Sequence, residues 1–316
     1  MSLDKRQELK KISELCPSWI YKKIDFRKNS KWPLFNPSVL VDGDGFLAVV
    51  RTANYRLISH NLHPITDDPL NPYTGLIRTR NYLIRLSHQF ELVEEPIPMS
   101  LSPNFSEPSW EDHLEDLRLF VIDGELYAIA ALYEHKEDRS SIKIVSIDRE
   151  GKISQAFNVP SPFGRQKEKN WIPIYKNNLL HLIHTCSPTI VVTVDIKANT
   201  MTTWQSGSGI AELNGWSGSS QGCAVGDWTL CVVHKRTLTN TGLSYPHRFV
   251  MFDAELRVCA ISDKFVFHHD GVEFCAGLAK REDQLVLSYG VNDGEAMIGS
   301  LSLYDALNTL RWRAPS

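Results

Sequence analysis

From residue 35 onward, apolar and polar residues alternate with the two-residue period of β-strands. Short runs rich in Val, Ile, Leu, Tyr and Phe (46–50, 126–133, 179–184, 189–194, 228–234 and 284–289) are separated by clusters of Gly, Asn and Asp. Regular short strands with turn signals predict an all-β sandwich, barrel or propeller. Only residues 4–15 show a helical period. There Leu9, Ile12 and Leu15 fall three apart with charges between them, and Pro17 ends the segment.

A weak internal repeat selects among these architectures. Each copy is a polar cluster, an apolar strand, a tight turn and a second apolar strand. The five clusters are Asn36-Pro37, Glu115-Asp116-Leu117-Arg118, Glu168-Lys169-Asn170-Trp171, residues 217–220, and Glu273-Phe274. Their turns fall at 42–45, 123–124, 176–178, 226–227 and 281–283. The last four turns lie about 50 to 56 residues apart, the length of a four-stranded propeller blade. The first interval is longer because of a Pro/Asn/Asp-rich stretch, His60 to Tyr73, which reads as a loop. The prediction is a five-bladed β-propeller over residues 31–316 as one domain, led by a helical segment in 1–30. An irregular β-sandwich is the alternative.

Composition changes this picture little. With 34 Lys+Arg against 37 Asp+Glu, the net charge is −3, which gives no global attraction to nucleic acid. No apolar run approaches the roughly 20 residues of a membrane-spanning helix. The first residues lack the apolar core of a secretory signal. The six cysteines form no CxxC pair and no zinc spacing, so a reducing, cytoplasmic setting without metal or cofactor is expected.

The chemistry is expected at one end of the propeller. In this fold the first strand of each blade lines the axis, so clusters at the starts of these strands converge on a funnel. That rim would carry Asn36, Glu115, Asp116, Arg118, Glu168, Lys169, Asn170, Trp171, Ser219, Ser220 and Glu273. Carboxylates and amides bind sugar hydroxyls, and an indole stacks on a pyranose face. Each residue also has a plainer reading. Arg118 and Lys169 fit as counter-ions of the acids, Trp171 as core, and Asn36 as a turn cap. Arg51 fits as a strand-end charge, and Asp293 and Glu295 as turn residues in Asn-Asp-Gly-Glu. His247-Arg248 is a polar pair opening a strand.

At these positions the sequence resembles the five-bladed propeller enzymes of glycoside hydrolase family 130, and the related glycosyltransferase family 108. The resemblance rests on Asn36-Pro37 followed by a strand ending in Arg51, and on Glu115-Asp116-Leu117-Arg118 against the family's Glu-Asp-Pro-Arg. It extends through residues 168–171, 247–250, 273–279 and 288–296, the last including Tyr289, Asp293 and Glu295. These later stretches look closer to bacterial relatives encoded with polysaccharide-building enzymes. The resemblance implies that Asp116 is the acid, acting through a sugar hydroxyl, with Glu115 and Arg118 positioning it. Here Leu117 replaces the proline. It also implies that basic groups, for which Arg51, Lys169, His247 and Arg248 are candidates, hold phosphate or a nucleotide diphosphate.

The resulting expectation is an inverting glycosyl-transfer enzyme working from a nucleotide-sugar donor onto a glycan acceptor. Asp116 is its key carboxylate and Glu273 the second. The alternatives are a glycoside phosphorylase or hydrolase on the same site, or a non-catalytic glycan- or protein-binding propeller. Self-association through the N-terminal segment is a further expectation.

Overall fold

The computed structural model describes residues 9–313 except 27, 106–109, 111, 135–137, 199 and 241. Five antiparallel sheets are arranged as propeller blades. The first contains Leu34–Asp42, Gly45–Ala53, Thr79–Leu86 and Ile97–Pro98, and the second Leu114–Ile122, Glu125–Glu134, Arg139–Ile147 and Lys152–Val159. The third contains Ile172–Lys176, Leu179–Cys186, Thr189–Asp195 and Thr200–Gln205. In the fourth, the inner edge is split into Ser217–Gly218 and Cys223–Val225, both on Trp228–His234, followed by His247–Phe252 and Val258–Ser262. The fifth contains Glu273–Arg281, Gln284–Val291 and Glu295–Ser302.

The fifth blade takes its outermost strand from the other end of the chain. Ile20–Ile24 pairs antiparallel with Glu295–Ser302, in register from Ile20–Ser300 to Ile24–Ala296. Part of the segment expected to be a helical lead is therefore blade. Its sequence, Ile-Tyr-Lys-Lys-Ile, hides the strand period because only Ile24 is buried. The helix itself is one turn, Ile12–Leu15, with Glu14 accepting from the Lys11 backbone N–H at 3.0 Å. Lys10–Lys11 instead pairs in parallel with Phe265–Val266, and residues 4–8 of the expected helix lie outside those described.

The stretch expected as a loop departs from that reading only at its start, and residues 65–73 form no strand or helix. Tyr55–Ile58 and Asn61–Pro64 pair as a two-stranded ribbon above the first blade. A second ribbon, Thr237–Thr239 with Gly242–Ser244, rises from the fourth.

Each interface between neighbouring blades holds its own apolar cluster. Val39, Val50, Val286 and Ile298 join the fifth blade to the first, and Leu47, Val49, Leu119 and Val145 join the first to the second. Ile129 and Val192 sit between the second and third, Ile183 and Val250 between the third and fourth. Leu230, Met251, Leu287 and Met297 complete the circuit. Middle strands are therefore apolar on both faces, as in Glu125–Glu134, where residues 126–132 are all buried. Among the described residues no helix is long and apolar enough to cross a membrane.

Ile24 joins the closing strand to the cluster between the fifth and first blades. Ile24→Ala is expected to cost about 2–4 kcal/mol, the usual loss for truncating a buried isoleucine. Thermal or urea unfolding measures it. An unchanged transition would mean that the strand closes nothing.

Candidate functional site

The inner strands of the first and second blades carry the same irregularity at their starts. Register slips between Phe35 and Ser38 in one and between Glu115 and Arg118 in the other. At each slip one residue takes a left-handed backbone, Asn36 at φ 45° and Asp116 at φ 50°. Asn and Asp tolerate that region better than other residues with a Cβ, and a bulge there re-aims the side chain. The two side chains meet, with Asn36 Nδ2 donating to Asp116 Oδ1 at 2.9 Å.

Arg51, at the end of the neighbouring strand, completes the group. Its Nη1 donates to Asp116 Oδ1 at 2.8 Å, its Nη2 lies 2.9 Å from Glu115 Oε1, and its Nε donates to Thr79 Oγ1 at 2.8 Å. The arginine side chain is 6% exposed, that of Asp116 20% and that of Glu115 32%, so a buried cation presents two acids to the open rim. Both protein donors reach Asp116 through Oδ1. The fifth blade comes equally close, because a Cβ on Gly290 would lie 2.0 Å from Asn36 Oδ1. Its next turn brings Asp293, which accepts from the Tyr55 hydroxyl at 2.9 Å through Oδ2.

Surroundings separate the two aspartates. Burial raises the pKa of Asp116, but Arg51, Asn36 and Arg118 outweigh it and hold the group below its usual value. Asp293 is pushed up to about 6 by burial, with Asp116 and Glu115 adding to the effect against Arg51 and Tyr55. Two carboxylates with opposed shifts in one pocket form a ready acid–base pair.

On the side toward the third and fourth blades the wall is cationic. Arg118 is buried, donates to the Ser219 carbonyl and reaches Asn170 Oδ1 at 3.0 Å; burial pulls its pKa down to about 10. Asn170 is another left-handed residue, φ 64°. His234 is held neutral, its pKa lowered to about 3 by burial and by the charges of Arg118 and Lys169. Its ring stacks on Tyr245 at 5.7 Å, and Arg236 interacts with the Tyr245 hydroxyl. Lys169 and Arg236 are exposed.

Thus the structure brings together Asn36, Arg51, Glu115, Asp116, Arg118, Asn170 and Asp293, with Lys169 beside them. Other candidates are placed elsewhere. The Glu273 carboxylate accepts from the backbone N–H groups of Phe267, His268 and His269 at 2.6, 2.8 and 3.1 Å and is fully buried, so it anchors a loop. Trp171 is core, donating to Glu168 Oε2 at 3.1 Å and packed edge-on against His184. Ser219 and Ser220 are buried and bond to backbone carbonyls, of Cys275 and Gln221 respectively. His247 lies between Phe265 and Phe267 and accepts from the Cys275 N–H at 3.3 Å. Arg248 points the other way, over Trp216 and onto the Ser262 carbonyl. Tyr289 stacks on Phe267 at 3.9 Å with its hydroxyl on His268, and Glu295 pairs with Lys23 at the outer strand.

Tyr55, His234, Arg236 and Tyr245 were not anticipated. They lie where second strands end and third strands begin. In an antiparallel blade that end returns to the rim on which the first strand starts. Arg51, in Val-Val-Arg, carried the signal, and Val-His234-Lys-Arg236 has the same form.

The chain is 13% identical to the β-1,2-mannobiose phosphorylase of Listeria innocua, with a TM-score of 0.63 over 96% of this chain and 99% of that one. The likeness is one of fold. A structure described within the GH130 family of mannoside phosphorylases, as a glycoside hydrolase targeting β-1,2 mannosidic linkages in Candida mannan, gives 14% and 0.62 over 91% and 88%. The GH43_1 enzyme of Xanthomonas citri, complexed with xylose, gives 10% and 0.56 over 95% of each chain. No protein-family model and no curated protein matches the chain.

Two substitutions separate the anchor from the site. Glu273→Gln is expected to lower stability by about 1–3 kcal/mol through lost hydrogen bonds to a charged acceptor, while ligand affinity at the funnel is retained. Arg51→Ala leaves two acids without their buried partner, with an expected cost of about 3–5 kcal/mol. Melting curves and ligand titration of both variants check this.

Proposed function

We propose that this protein is an inverting glycoside-processing enzyme whose funnel cleaves or forms glycosidic bonds by phosphorolysis or hydrolysis. The observation that carries the reading is the opposition of Asp116 and Asp293 on one side of the funnel to Lys169, Arg236 and neutral His234 on the other. Two of the neighbours named above are a phosphorylase and a glycoside hydrolase. They support this reading over transfer from a nucleotide sugar.

In the proposed reaction a sugar ring sits against the Asp116 side. Asp116 Oδ2, which has no protein donor among the described residues, accepts a sugar hydroxyl. Lys169 and Arg236 hold a phosphate by charge. A phosphate oxygen bonds to the anomeric carbon as the bond from that carbon to the aglycone oxygen breaks. The electron pair left on that oxygen takes the proton of Asp293. Hydrolysis is the same displacement with water as nucleophile, its proton passing to a carboxylate. Tyr55 orients Asp293 by donating to Oδ2, which leaves the protonated oxygen as the donor. Burial, helped by the Asp116 and Glu115 charges, keeps that proton in place at mildly acidic pH.

The pH profile follows from these directions. Turnover needs Asp116 ionised and Asp293 protonated, so kcat/KM should be level between the depressed Asp116 value and about pH 6, then fall tenfold per unit above it. Asp293→Asn should lower kcat by about 10²–10⁴, the usual worth of a general acid, and remove the alkaline limb. Asp116→Asn should abolish turnover while the fold survives. The assay is sugar release from β-linked mannooligosaccharides with and without inorganic phosphate. Phosphate-dependent sugar 1-phosphate marks phosphorolysis, and phosphate-independent release marks hydrolysis. No release in either, with turnover of a nucleotide sugar instead, would sink the proposal.

A further inference from the structure

The outer edges of the five blades are not treated alike. The first blade ends in Ile97–Pro98, where proline removes a donor. In the second, Lys152–Val159 contains a lysine and is met by the parallel strand Ser100–Leu101. The fourth is covered by Leu310–Trp312, laid on Val258–Ser262 by a C-terminal helix, Leu303–Asn308, and itself carrying Arg311. The fifth ends in Ile20–Ile24, guarded by Lys22 and Lys23. Proline, lysine and a covering strand are the usual devices against edge-to-edge pairing.

The third blade has none of them. Thr200–Gln205, Thr-Met-Thr-Thr-Trp-Gln, is exposed at all six positions and, among the described residues, pairs only with Thr189–Asp195. It contains no charge and no proline. Threonine and tryptophan are good strand formers, so the edge stays extended and ready to pair. Met201 and Trp204 remain 36% and 37% exposed on it, and a groove of about 280 Å³ runs beside it, lined by Phe157, Val159, Val194, Ile196, Thr200 and Met201.

We propose that this edge is a homodimer interface, in which Thr200–Gln205 pairs antiparallel with the same strand of a second copy. Antiparallel pairing of identical strands is isologous, because a twofold axis along the sheet normal relates them. The axis sets a residue opposite its own copy, so Thr202 or Thr203 faces its equivalent, a favourable cross-strand pair. An uncharged edge meets itself without like-charge repulsion. The twofold axis uses this edge in both copies, so the assembly closes at two copies instead of growing into a fibre.

Sedimentation equilibrium at micromolar concentration tests this. The wild-type chain should have twice the monomer mass. The double variant Thr202→Lys, Thr203→Lys should have the monomer mass with its β-sheet circular dichroism spectrum retained, since both positions are exposed. Amide exchange across residues 200–205 in the wild type should slow as concentration rises, a readout that needs no variant. A wild-type monomer, a variant that remains dimeric, or exchange at 200–205 that ignores concentration would each overturn the proposal.

Discussion

Ring closure is the constraint on which everything else depends. Each blade is apolar on both faces, so no blade can be stable with either face in water, and only a closed circle buries all of them. The circle has one joint, where Ile20–Ile24 lies against Glu295–Ser302. The two strands join opposite ends of the chain, and the blade they complete contributes to apolar clusters on both sides. Contacts of such long sequence separation form late, because loop entropy must be overcome before they contribute.

The candidate site inherits this dependence. Asn36 and Arg51 come from the first blade, Asp116 and Glu115 from the second, and Asp293 from the fifth. Closure seats the fifth blade against the first, and the Tyr55–Asp293 hydrogen bond spans that junction. The close approach at Gly290 makes the same point at backbone level. With Asn36 Oδ1 2.0 Å and the Asn36 backbone N 2.7 Å from where a Cβ would stand, the two blades touch with no room for a side chain at Gly290. The acid pair is therefore a property of the assembled ring and of no single blade.

Most of the architecture was legible because burial on both faces leaves strong apolar runs, and tight turns leave Gly, Asn and Asp between them. The closing strand was not legible, since one buried residue in Ile-Tyr-Lys-Lys-Ile carries no period. The site was half legible. Asn36 and Asp116 were found from strand starts, and the left-handed backbone that aims them at each other suits their residue types. Glu273 begins an inner strand just as Glu115 does, yet its carboxylate is consumed by three loop amides that lie six, five and four residues before it. Strand position shows which rim a residue is on; it does not show whether the side chain points to the axis or between blades. His247 and Arg248 illustrate this most simply, as adjacent residues sent to opposite faces of one sheet, neither facing the funnel.

That ambiguity also explains how a chain with near-zero net charge can hold a strongly polarised site. Asp116 and Asp293 both answer to Arg51, but only Asp116 is bonded to it directly, with Asn36 donating to the same oxygen. Asp293 receives one neutral donor, Tyr55, and is pushed up by burial, with the two acids beside it adding to the effect. One cation shared unequally between acids in a dehydrated pocket is enough to place one carboxyl below the usual range and another near neutrality. Moving Arg51 equally close to both would bring the pair together and leave no proton where a leaving group needs it. The chemistry thus rests on asymmetric placement, which three blades set through two bulges and a turn.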